Sequence, residues 1–98
     1  MTKIWVKTVT DHKVRESIVY DNEQEIDTDN FRPALMKICE QLKIPTPIVT
    51  GSQIANFMEF NILKLKQRDF IETINFDFLE FNAIKQEKEI TNDRPYIP

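Results

Sequence analysis

The chain has one glycine, Gly51, in 98 residues. Loops that cradle phosphate use several glycines, because their backbone N–H groups must reach the anion through φ/ψ regions that side-chain-bearing residues avoid. Neither a P-loop nor a glycine-rich dinucleotide fingerprint can be written in this sequence. A single cysteine, Cys39, excludes an internal disulfide and Cys-x-x-Cys redox chemistry. With one histidine, His12, the chain falls far short of the soft ligands of a structural zinc site, so no metal or cofactor is expected. Neither serine, Ser17 or Ser52, sits in a Gly-x-Ser-x-Gly elbow. No apolar run is long enough for a signal-peptide core or a membrane span, and a cytoplasmic protein with no membrane association is expected.

What is present is the composition of an ordinary globular chain, 41% hydrophobic and 30% charged. Seven phenylalanines and one tryptophan argue for a packed core. Thirteen basic against 16 acidic side chains leave a net charge of −3. That balance offers no general attraction to a polyanion, so nucleic acid could be held only by a local basic patch.

Lys3–Thr10 alternates Ile4, Val6 and Thr8 against Trp5, Lys7 and Val9, which predicts a strand. Asp11-His12-Lys13 reads as a turn, without the Asn-Gly or Asp-Gly that marks a two-residue hairpin. Val14–Tyr20 is a second strand with Val14, Ile18 and Tyr20 on one face, interrupted by Glu16. The acidic stretch from Asp21 to Asp29 is a solvated loop ending in the helix-capping residues Thr28, Asp29 and Asn30. Phe31, Leu35, Ile38 and Leu42 fall at helical spacing, with Pro33 in the first turn, and Ile44-Pro45-Thr46-Pro47 ends that helix. Thr50 or Ser52 caps a shorter helix that runs to about Glu59. Alternation over Phe60–Lys66 favours a strand over a continued helix. Asp69–Glu72 reads as one helical turn, and Phe76–Ile84 as a last strand. The order β-β-α-α-β-β implies an α+β domain over residues 1–85, a small antiparallel sheet with two helices packed on one face. Residues 86–98 form a polar C-terminal tail, loose unless Tyr96 and Ile97 dock on the domain.

Asp21, Glu23, Glu25, Asp27 and Asp29 recur at every second position, but an EF-hand loop started at Asp21 has Ile26 where glycine belongs and Arg32 where the bidentate glutamate belongs. Cys39 lies at the edge of an apolar stripe, where an inert core thiol outweighs a nucleophile. Asp11 beside His12 could orient an imidazole, yet the pair sits in a turn. Asp77, Glu80 and Glu59 are the carboxylates available to an acid/base pair. Lys64, Lys66 and Arg68 would project from one sheet face if the strand continues, as a basic stripe for an acidic partner or as lysines guarding an edge. No aromatics are interleaved with that stripe for base stacking. Phe76 and Phe78 would lie opposite Leu79, Phe81 and Ala83, leaving apolar groups on a face that the helices cannot cover.

The segments Ala34–Cys39, Thr46-Pro47, Phe57–Asn61, Asp69–Glu72 and Phe76–Leu79 resemble those of a group of short uncharacterised bacterial proteins. None is a catalytic signature, and the resemblance implies no activity. Three readings follow from the residues themselves. The first is a non-enzymatic interaction module that self-associates, as a homodimer or other homo-oligomer, or docks on a protein partner through Trp5, Phe76 and Phe78. The second is a nucleic-acid or anionic-ligand binder using Lys64, Lys66 and Arg68. The third is a cofactor-free enzyme with a carboxylate acid/base pair.

Overall fold

The computed structural model describes residues 2–84, so the readings of residues 86–98, Tyr96 and Ile97 included, lie outside the described residues. The sheet has four antiparallel strands: β1 (Thr2–Thr10), β2 (Lys13–Asn22), β3 (Ile62–Lys66) and β4 (Phe78–Ile84). Their spatial order is β2-β1-β4-β3. Two helices, α1 (Phe31–Leu42) and α2 (Gly51–Phe60), lie between β2 and β3 in the chain, giving the expected α+β order.

Asp11 and His12 form a two-residue hairpin loop without glycine, both at positive φ, 53° and 65°. This mirror-image turn matches the twist of the flanking strands. Aspartate and histidine enter that region more readily than most residues, and the Asp77 carboxylate pins the turn by accepting the Asp11 N–H at 2.9 Å. A bulge shortly after the turn changes the expected face of β2. Thr8 is opposite Glu16, but Val9 is opposite Val14, so Arg15 is the extra residue. Val14 therefore leaves the face it was expected to share with Ile18 and Tyr20, and Glu16 no longer interrupts a continuous apolar row.

Helix α1 begins and ends where its apolar stripe does. Asn30 precedes it without a side-chain cap bond to the helix. Its side-chain oxygen accepts from the Asp27 N–H, while Asp27 Oδ1 accepts from the N–H groups of Asp29 and Asn30. Lys43 closes α1 in the left-handed region. Helix α2 starts with a reciprocal capping box, in which Thr50 Oγ1 accepts from the Gln53 N–H and Gln53 Oε1 accepts from the Thr50 N–H. Both helices pack on one face of the sheet. Phe31 from α1, Phe57 from α2 and Phe81 from β4 meet there with ring centroids 5.4 to 6.5 Å apart. Ile4, Val6, Leu63, Leu65 and Leu79 complete the sheet side of this core.

Three expected boundaries move. Strand β3 ends at Lys66 as expected but starts at Ile62 rather than Phe60, and the helical turn is a 3-10 turn at Gln67–Asp69, starting two residues earlier than expected. The last strand starts at Phe78 rather than Phe76. Gln67 holds the intervening loop, accepting from the Ile74 N–H and donating to the Glu72 carbonyl. Phe76 is thereby dropped into the core, edge-on to Phe70 at 5.9 Å.

Candidate interaction surface on the open sheet face

The strand registers fix the side of the sheet opposite the helices as a grid. One row reads Val19, Trp5, Asn82, Ile62 from β2 to β3. The next reads Ser17, Lys7, Glu80, Lys64, and a third reads Val14, Val9, Phe78, Lys66. Lys3 joins Asp21 to Ile84 at the far end. Among the described residues no helix covers this grid, and Trp5 is 40% exposed, Ile62 41%, Ile84 40% and Val19 56%. A sheet face with a single apolar residue in water is unremarkable. Four at one end of one face form a patch.

The charged row divides the two apolar rows. Lys7 Nζ lies 3.2 Å from Glu80 Oε2, and both side chains are largely buried, 13% and 15% exposed. The same ammonium lies 4.0 Å from the centroid of the Trp5 ring. Trp5 is thus held on the face by a cation–π contact as well as by its neighbours. Lys64 Nζ stands 5.1 Å from the Phe78 ring on the other side of Glu80. At the centre of the apolar row, Asn82 Oδ1 is buried and lacks a hydrogen-bond partner. An orphaned carbonyl of this kind costs about 1–3 kcal/mol.

The residues singled out from the sequence come together only in part. Trp5 and Phe78 share the open face, as do Lys64 and Lys66. Phe76 does not: it is a core residue preceding the strand, because the Gln67-stapled loop turns it inward. Arg68 is not on the ladder either, since the strand gives way at Gln67 to the 3-10 turn. The basic stripe of three is therefore a pair, and Glu80 lies directly opposite Lys64. Asn82 and Ile62 were not singled out. The signal for Asn82 is its i, i+2 spacing from Phe78 and Glu80, and for Ile62 its i, i+2 spacing from Lys64 and Lys66.

No family model, curated protein or solved structure matches the chain. The site therefore rests on its own geometry. Among the carboxylates weighed for acid/base work, Glu80 is paired with Lys7, and Asp77 accepts the Asp11 N–H. Among the described residues no three His, Cys, Asp or Glu side chains converge to hold a metal, and no helix is long and apolar enough to cross a membrane.

Cys39 is fully buried on α1. Burial pushes its thiol up from 9.0 to about 12, against a smaller lowering by a hydrogen bond with Thr46. Burial thus favours the neutral thiol over the nucleophilic thiolate. Native protein is expected to show no thiol titre with an aromatic disulfide reagent over an hour, and one thiol per chain after denaturation. Rapid labelling of the native protein would show that the α1 side of the core opens readily.

Proposed function

We propose that the protein is a non-enzymatic interaction module whose binding surface is the open face of the sheet. The observation that carries this reading is the exposed cluster of Trp5, Val19, Ile62 and Ile84 around the orphaned Asn82 carbonyl. Apolar side chains centred on a tryptophan and rimmed by charge are the usual make-up of a binding hot spot. The partner is a protein segment that lays apolar side chains on Trp5 and Ile62. Lys64 and Lys66 stand at the β3 rim, where they favour an acidic flank on that segment.

The test compares immobilised wild-type chain, the double variant W5S/I62S and the control M36S in capturing proteins from source-cell extract. Met36 is exposed on the helix side and belongs to a different surface. A partner held by wild type and M36S is expected to bind W5S/I62S at least tenfold more weakly, with affinity then measured on the purified pair. Equal retention by all three, or no retained protein, overturns the reading.

A further inference from the structure

We propose that the free edge of β2 pairs with the same edge of a second copy, antiparallel about a two-fold axis at Val19, to form one eight-stranded sheet. This inference rests on the backbone edge of β2, whereas the proposed function rests on the side chains of the open face; Val19 belongs to both, and the double variant W5S/I62S separates them. It starts from the unequal protection of the two edges. Strand β3 has five residues, with Lys64 and Lys66 exposed along it, and is bounded by left-handed Asn61 and the turn at Gln67–Asp69. Short length and lysines are the devices by which an edge avoids pairing. Strand β2 runs ten residues, and its single irregularity, Arg15, lies beside the hairpin. From Glu16 to Asn22 it pairs regularly with β1, and the midpoint of that stretch is Val19. Among the described residues no strand lies on its other side.

The backbone direction agrees with this centre. The Glu16 N–H is aimed toward β1, where Thr8 Oγ1 accepts it at 3.1 Å. Successive residues of a strand turn their N–H and C=O groups to alternate sides. Ser17, Val19 and Asp21 therefore offer theirs to the open edge.

Side-chain polarity selects the register. With the axis at Val19, each Val19 faces its copy, Ile18 faces Tyr20, Ser17 faces Asp21, and Glu16 faces Asn22. Apolar meets apolar, polar meets polar, and no like charges are opposed. Moving the axis to Ile18 sets Ser17 against Val19 and Glu16 against Tyr20. Moving it to Tyr20 sets Val19 against Asp21 and Ile18 against Asn22. Only the Val19 axis matches every pair, and it runs the apolar row Ile62, Asn82, Trp5, Val19 into its own copy.

A single strand edge is smaller than a standard interface, so the dissociation constant is expected on the order of micromolar. Sedimentation equilibrium of the full chain from tens to several hundred micromolar should show the mass rising from 11.7 kDa toward twice that value. Val19→Pro removes a central donor that the monomer turns to solvent, a change an edge strand tolerates, and should leave a folded monomer at every concentration. Val19→Lys keeps the donor but opposes two ammonium groups, and should weaken the dimer at least tenfold. A Val19→Cys variant should be joined by a short thiol cross-linker. Ser17→Cys should not, because its two copies lie four residues out of register, roughly 13 Å apart. The double variant W5S/I62S should still dimerise, which separates this proposal from the open-face reading. The edge dimer is overturned by a wild-type chain that stays monomeric, by a dimer unaffected by Val19→Lys, by equal cross-linking of the two cysteine variants, or by dimerisation lost in W5S/I62S alone.

Discussion

Phe81→Ala is expected to lower the stability of this domain by about 3–5 kcal/mol. Phe81 is fully buried on β4, a central strand, where it sits opposite Val6 of β1 and Leu63 of β3. Its ring centroid lies 6.2 Å from that of Phe31 on α1 and 6.5 Å from that of Phe57 on α2. Among the described residues it is the one side chain of the sheet in ring contact with both helices. Truncation removes the transfer free energy of the ring and leaves a cavity that two helices and three strands would have to shift together to fill. Small domains are stable by only about 5–15 kcal/mol, so the variant has little left. Urea unfolding followed by circular dichroism should show a large fall in the midpoint with an unchanged slope. Phe60→Ala is the control, since Phe60 is 62% exposed at the end of α2 and should change stability by less than about 0.5 kcal/mol. Equal shifts for the two variants would mean that the aromatic trio does not hold the helices to the sheet.

The same contrast shows what could be read from the residues beforehand. The stripe Phe31, Leu35, Ile38, Leu42 and the Pro45/Pro47 stop bracket α1 because helix period and proline chemistry are local. Thr50, one of the two capping candidates with Ser52, marks the start of α2 for the same reason. Alternation of Leu63, Lys64, Leu65 and Lys66 is sufficient for β3. The features that escaped are those set by contacts distant in sequence. The turn at Asp11-His12 is legible locally, but its anchor, the Asp77 carboxylate 66 residues away, is not. The inward turn of Phe76 depends on Gln67 holding the Ile74 N–H. The bulge at Arg15 appears only when β2 is laid against β1. The candidate surface was half legible for a related reason. Alternation announces that both sides of a sheet carry apolar groups, but it does not say which side the helices take, and a strand begun at Phe76 puts that residue on the open face when the loop ahead of β4 buries it.

Glu80→Ala is expected to cost about 2–4 kcal/mol, far more than the loss of an ordinary surface ion pair. The Lys7 and Glu80 side chains are nearly as shielded as core residues, although they lie on the face without helices. Removing the carboxylate leaves the Lys7 ammonium desolvated, with the Trp5 ring at 4.0 Å as partial compensation. It also leaves Lys7 and Lys64 facing each other across the vacated position. Lys7→Met should be milder, because Glu80 keeps Lys64 opposite it. The double variant K7M/E80L should be close to wild type or more stable, since a well-packed apolar pair avoids the cost of dehydrating two charges. A double-mutant cycle from chemical unfolding measures all four states. If Glu80→Ala costs under about 1 kcal/mol, the row is screened by water like any exposed pair. The predicted excess has a functional corollary. A pair that is neutral or unfavourable relative to leucine and methionine does not persist for stability alone. On this face it separates two apolar rows and anchors Trp5 from below. K7M/E80L should therefore keep the fold while merging the rows into one greasy surface, and should bind the partner of W5S/I62S-sensitive capture with reduced selectivity against unrelated apolar peptides.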